Sequence, residues 1–490
     1  MTQTASPAAV RVASAEAARK AKETRDSNRI IALAVMGTVA ASVLGAAIGP
    51  AIAYGFVGGL LGLLVGVLSG LYPIFAVYLY LGTLPIIAGI DRDTVIPLIR
   101  PNEALLAVVV AGAVIGAFLR FVRNDDIRPR FMPAVDIPLA VFLLMATVWP
   151  LASLLLRGQV PTGAEYAATL PFPKLVAVYF LVRYTVKTED ETLRVIRLIV
   201  WPGAAVALIA TLQTLKFSPV IALLETFWNG EEGASLESAS ELSERGSATL
   251  GSPIAAGDVI MISLILVMCC VARGLLGRRE RLILAMILGT GVFAAGQFST
   301  WIAAVVGLVL LAWRFPDLRR QAKRFAPLGG VALVIGAPAF LGRFESLGEF
   351  GGILPESWLG RIDNLAYMYL PHFDWTTLFL GVSPNTVVEA HEVWREIIYL
   401  ESGILWFLWT GGIPLLAAFI WLSLRVLRTV RPAIRHPGAF GACASSLEIV
   451  WLFLLVLTLI DPHLQLRGTG DLIFTLLAIT VGGIDARRRT

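Results

Sequence analysis

Four arginines stand in the two long polar intervals of this chain. Arg245 lies in the first, 216–252; Arg343, Arg361 and Arg395 lie in the second, which runs from Gly342 to Gly412. A guanidinium is permanently charged and presents a planar fork of donors that matches phosphate oxygens. Several together would hold a pyrophosphate and stabilise the charge that grows as it leaves. The second interval also carries groups for proton transfer. Glu401 stands where polar sequence meets the apolar run Ile404–Gly412, and a carboxylate partly withdrawn from water gains proton affinity. His391 is the reserve base, because imidazole needs little tuning near neutrality. Blander readings compete. The arginines have acidic neighbours (Glu231, Glu232, Glu345, Glu349, Glu356) with which to form weak surface pairs. Glu401 also suits a helix start, where the dipole favours a carboxylate. His391 and His372 also read as surface histidines, and His436 and His463 receive no role.

The elements that position these residues are membrane helices. Apolar residues make up 57% of the 490 and charged residues 15%, with a mean hydropathy of +0.76. Soluble domains do not have this composition. Runs of about 20 apolar residues, the thickness of a bilayer core, recur throughout. The pattern predicts an all-α polytopic bundle of about fourteen spans. They lie near 30–48, 51–69, 72–90, 102–121, 135–156, 172–187, 194–215, 254–274, 282–296, 298–314, 327–342, 401–424, 446–461 and 470–484. The division is then a polar cytoplasmic tail at 1–28, a bundle at 29–342, a large external loop at 343–400 and C-terminal spans at 401–490. With this parity the dense clusters at 120–130, 273–281, 314–324, 425–435 and 487–489 all face one side, the positive-inside pattern, and both termini are cytoplasmic. Net charge +5 is thereby explained without nucleic acid. Cys269, Cys270 and Cys443 sit in apolar runs and read as core residues.

The outward arginines then break the inside rule, so each needs a partner or a job. The spans read as nearly free of buried charge, which favours chemistry at the outer membrane–water boundary over a transporter's midplane site. The interval Glu225–Glu244 is acidic and reads as a solvated loop, a lid, or a cation-binding stretch without convincing ligand spacing. Trp358, Tyr367, Tyr369, Phe373, Trp375 and Trp394 suit an interfacial belt better than sugar stacking.

These residues resemble a known family, the O-antigen ligase and polymerase superfamily of bacterial membrane glycosyltransferases. The stretch Arg245-Gly246-Ser247-Ala248-Thr249-Leu250-Gly251-Ser252-Pro253 is similar to its arginine followed by a Gly-x-Pro start of a span. Phe298-Ser299-Thr300-Trp301, Arg361-Ile362-Asp363-Asn364-Leu365, and Leu380-Gly381-Val382 as the turn before a final external helix, resemble further elements. Glu401-Ser402-Gly403-Ile404-Leu405 with Gly412 has the spacing of its His-Ser-x-x-Leu…Gly motif. Glu401 replaces the histidine associated with ligation onto lipid A core, so the resemblance leans to a polysaccharide polymerase. It implies a GT-C-like bundle in the inner membrane and a glycan donor on polyprenyl pyrophosphate. It also implies a glycan acceptor, no nucleotide sugar, no cofactor or metal, and chain-length or export proteins as partners. Arg245, Arg361, Arg395 and Arg343 would then hold the pyrophosphate, with Glu401 or His391 as base. A lipid-linked oligosaccharide flippase and a non-catalytic envelope scaffold are the alternatives.

Overall fold

The computed structural model describes residues 50–90, 99–123, 131–228, 245–315, 329–337, 341, 361–392, 395–398 and 400–487. In chain order the principal helices are α1 (Pro50–Leu71), α2 (Pro73–Ile87), α3 (Pro101–Val122), α4 (Pro133–Leu156), α5 (Gly163–Thr169), α6 (Pro171–Thr185), α7 (Glu189–Thr214), α8 (Ser218–Phe227), α9 (Pro253–Ala272), α10 (Arg278–Ala294), α11 (Phe298–Arg314), α12 (Trp375–Leu380), α13 (Gly403–Ala433), α14 (Ala439–Leu457) and α15 (Thr469–Arg487). Proline opens α1–α4, α6 and α9; its missing N–H is not needed in a first turn, and its fixed φ suits one. α5 and α7 open instead on reciprocal capping boxes, Thr162 with Glu165 and Thr188 with Glu191.

Six of the described helices, α3, α4, α7, α9, α13 and α14, are long and apolar enough to cross a membrane. Residues 58–71, α2 and α11 are shorter apolar helices. This is the architecture of a helical membrane protein. The expected first span, 30–48, lies outside the described residues, as do Arg343 and the acidic stretch 229–244.

Cα packing divides the chain into two units, Met1–Ala76 with Ala107–Ile127, and Val77–Leu106 with Arg128–Thr490. In the smaller, Gly70 packs directly on Gly112 and Gly116, and Arg120 donates to the Gly70 carbonyl at 2.9 Å. Side chains this small let two membrane helices touch backbone to backbone. The larger unit is built round α9, in which every residue from Ala255 to Val271 is buried. α7, α10, α11 and α14 pack against it, and α4 lies along α13 and α6 along α15.

Three expectations need correction. The cluster Arg425, Arg428 and Arg431 is not in a loop, because α13 runs on to Ala433. Leu422, Val426, Val430 and Ala433 repeat at helical spacing and stay buried, so one apolar stripe carries the helix past its apolar window. The turn at Gly381 does not lead to another external helix. It leads to a hairpin of β1 (Val388–Glu392) and β2 (Arg395–Ile398), paired antiparallel with an irregular register between Glu389 and Glu392. Nor are the helices free of buried charge: Asp136, Asp258 and Asp471 are each 3% exposed or less. All three fall within the first two turns of their helices, where polar side chains reach them: Tyr179 and Arg183 at Asp136, His463 at Asp258, Tyr80 and Lys174 at Asp471.

Candidate functional site

In the larger unit the last turns of α7, α10 and α14 meet the first turns of α9, α13 and α15. The Gly246 N–H donates to Ala294 O at 2.9 Å and the Ile404 N–H to Thr458 O at 3.1 Å. Gln213 bridges Ser247 Oγ (3.1 Å) and the Ala248 N–H (2.9 Å). We call this the loop end, because the described part of the large polar interval sits on it.

Arg361 lies in a short helical stretch that continues as a π-turn over Asn364–Tyr369. Its Nε lies 2.9 Å from Glu401 Oε2, and its Nη2 lies 3.4 Å from Asp461 Oδ1. The Nε–H does not point along the first contact, so that contact is charge pairing and not an aligned hydrogen bond. Side-chain exposure falls from 33% at Glu401 through 23% at Arg361 to 6% at Asp461. The trio therefore runs from the surface inward. Arg361, Glu401, Ser402, Asn364 and Tyr369 line a hollow of about 140 Å³, walled by Leu365, Leu400 and Leu459. Pockets that enclose a whole small ligand measure roughly 300–1,000 Å³, so this one suits a single charged group with the rest of the ligand outside. Burial, then the Glu401 charge, push the Tyr369 hydroxyl above its ordinary pKa; it stays a neutral donor, to Thr386 O at 3.1 Å.

Behind the hollow the polar path continues. Asp461 ends the turn after α14, and a 3₁₀ turn over His463–Gln465 follows it. His463 Nδ1 lies 2.7 Å from Asp258 Oδ2 of α9, and the Thr469 hydroxyl donates to the same oxygen at 3.1 Å. His463 is 1% exposed and Asp258 2%. His463 Nε2 and Asp258 Oδ1 have no hydrogen-bond partner among the described residues. Burial raises the Asp461 pKa, against the pull of Arg361 and His463. For His463 burial acts the other way, but Asp258 and then Asp461 outweigh it and hold the imidazole above its usual range.

Two glycines fix how α12 packs on α13 at this end. Gly412 breaks α13 with φ +65°, and a Cβ there would fall on the Phe379 carbonyl. Gly381, φ +87°, faces the Thr410 carbonyl, where a Cβ would also clash. Only glycine combines this left-handed backbone with so close an approach. The Val382 and Ser383 N–H groups can then reach Trp409 O (2.5 and 3.2 Å), and Arg157 Nη2 donates to Val382 O at 2.6 Å. Burial lowers the Arg157 pKa, with Asp374 and Glu165 opposing.

Of the residues singled out from sequence, the structure brings Arg361 and Glu401 together. Arg245 does not line this hollow. It is half-buried beside Gly246, which packs on Ala210 of α7. His391 and Arg395 lie on the hairpin backbone; their side chains, like the whole of Arg343, lie outside the described residues. His372 rests edge-on against Trp409 at 5.4 Å. Sequence reading missed Asp461, His463 and Asp258. Asp258 carried a signal, a single carboxylate inside the apolar run 254–274. Among the described residues no group of three or more His, Cys, Asp or Glu could hold a metal ion. Comparison with known protein families finds no match, and neither does comparison with curated proteins.

Proposed function

We propose that this chain is a polysaccharide polymerase-type glycosyltransferase of the O-antigen ligase and polymerase kind. In this reading it is a GT-C-like bundle of about fourteen spans in the bacterial cytoplasmic membrane, with both termini inside and the loop end outside. It joins a glycan carried on polyprenyl pyrophosphate to an acceptor sugar hydroxyl. The observation that carries the reading is the meeting of Arg361 and Glu401 from the two ends of 361–401 on one small hollow.

In the reaction the acceptor oxygen bonds to the donor's anomeric carbon. The bond from that carbon to the phosphate oxygen breaks, and its electron pair leaves with the lipid pyrophosphate. Glu401 takes the hydroxyl proton as general base, and Arg361 stabilises the charge that grows on the departing phosphate. The incoming phosphate competes with Glu401 for Arg361, which frees the carboxylate as the donor seats. Arg245, Arg343 and Arg395 are the candidates for further phosphate contacts.

The test is elongation by purified protein supplied with a defined polyprenyl-pyrophosphate glycan and no nucleotide sugar. Longer glycans are expected, with a loss of at least about 100-fold in Glu401→Gln, the scale of general-base catalysis. Arg361→Ala is expected to raise the donor KM. No elongation by the wild type, or a normal rate in Glu401→Gln, overturns the corresponding part.

A second reading, a lipid-linked oligosaccharide flippase, gains support from the buried charges at Asp136, Asp258 and Asp471. Transporters place such groups near the midplane at broken helices. Here they lie within about 8 Å of their helix starts at 1.5 Å per residue, which favours boundary chemistry. Movement of donor between leaflets without longer products would reverse that preference.

A further inference from the structure

His463 belongs to none of the roles above, yet it is a buried ionisable group, 1% exposed, directly behind the site. Among the described residues the charged groups around it are Asp258 from α9, Asp461 from its own turn and Arg361 from the loop. Its Nδ1 engages Asp258 at 2.7 Å, so it keeps a proton there in either charge state. The proton that comes and goes is the one on Nε2, which no hydrogen bond fixes among the described residues.

Two carboxylates, Glu401 and Asp461, share the single guanidinium of Arg361. A phosphate that uses Arg361 must draw it from both. Glu401, at 33% exposure, is released into water at little cost, whereas Asp461, at 6%, is not. Asp461 needs another positive charge close by before Arg361 can turn outward, and protonated His463 supplies it.

We propose that His463 is a positioning residue for phosphate binding: its protonated form, braced by Asp258, compensates Asp461 and so releases Arg361 to the donor pyrophosphate. The proposal rests on the glycosyltransferase reading for the identity of that ligand. Loss of the Nε2 proton returns Arg361 to Asp461 and weakens binding. The direction is diagnostic. A phosphate gains negative charge as pH rises through about 6, so the ligand's own titration tightens binding while that of His463 loosens it.

Direct binding of geranylgeranyl pyrophosphate to the full-length protein in lipid nanodiscs, followed from about pH 5.5 to about pH 9, brackets the imidazole range. The wild-type Kd is expected to rise roughly tenfold or more across the titration, the effect of one pKa unit of coupling. His463→Gln should bind weakly and without that alkaline limb. Asp461→Asn should bind tightly at every pH, and the double variant His463→Gln/Asp461→Asn should regain tight binding. That rescue is the readout a merely structural histidine would not give, and it does not need the single His463 variant to fold. A wild-type Kd that does not rise with pH, the same limb in His463→Gln, or weak binding in a folded double variant overturns the proposal. Turnover is not involved. Protein that binds in this way but never lengthens a glycan removes the polymerase reading and leaves the inference standing. Elongation whose donor KM has no His463-dependent limb does the reverse.

Discussion

Arg183 and Arg361 each sit between two carboxylates, at opposite ends of the larger unit. Arg183, in the last turn of α6, places Nη1 at 2.6 and 2.8 Å from the two Asp136 oxygens and Nη2 at 2.8 Å from Asp485. Tyr179 and the Met132 N–H also donate to Asp136. The guanidinium side chain is 6% exposed and joins α4, α6 and α15. Arg361 makes an off-axis contact and a 3.4 Å one, is 23% exposed, and faces a hollow. Residue types alone do not separate the two. What separates them is saturation. A buried ion cluster with every lone pair occupied fixes helices and has nothing to offer a ligand. A looser cluster at the edge of a cavity holds its charges ready for exchange.

Deleting each arginine in turn should separate the two clusters most strongly. Arg183→Ala leaves Asp136 buried and uncompensated and should cost about 3–5 kcal/mol, the cost of breaking a buried pair. Arg361→Ala removes a partly exposed pair with Glu401 and a 3.4 Å contact to the buried Asp461, beside which His463 remains, and should cost less, about 1–3 kcal/mol. Thermal and denaturant unfolding of the two purified variants in one detergent measures both. Equal losses would mean that the loop-end cluster is also a staple.

A pH series sharpens the contrast at intermediate size. The folded pKa of His463 stands above its ordinary value of about 6.5. Its contribution to stability is therefore fully present below about pH 6.5. It is lost as pH rises through the folded value. Asp461, also raised, acts in the same sense over a lower range. The wild-type midpoint of unfolding should fall as pH rises above about 6.5. His463→Gln should flatten that fall, and Arg183→Ala should keep it while unfolding earlier throughout. An unchanged alkaline fall in His463→Gln would detach the histidine from the folding equilibrium.

The helices were legible because their causes are local. Apolar runs of bilayer length, prolines at first turns and Thr-x-x-Glu caps mark α4, α7 and α9 before any tertiary contact forms. Arg361 and Glu401 were legible as types, since a fork of donors and a carboxylate at a membrane boundary limit the chemistry. Their meeting, and the separation of Arg245 from them, is tertiary. His463 escaped because its partner Asp258 is 205 residues away and the residues around it are an unremarkable turn. The hairpin at 388–398 escaped because its strands are short and charged, with no Asn-Gly or Asp-Gly between them. Arg425–Arg431 read as loop because charge was taken as the end of a helix, whereas the buried stripe of α13 continues beneath it.

The smallest effect is expected at Arg197, whose Nε pairs with Glu280 at 3.2 Å near the end of the unit that carries Arg183. Its side chain is 47% exposed, so water and salt screen the attraction and the two long side chains lose rotamer freedom to hold it. Arg197→Ala should therefore change stability by no more than about 0.5 kcal/mol, and less at high salt. This variant decides what the contrast between Arg183 and Arg361 depends on. Arg197 has a carboxylate partner as Arg183 does, and differs from it in burial and in the number of donors that reach that partner. If its loss costs as much as the loss of Arg183, the end of the bundle sets the energetics and saturation does not. If it costs next to nothing, closed packing round the ion cluster is what makes an arginine a staple, and its absence round Arg361 is what leaves that side chain free to exchange partners.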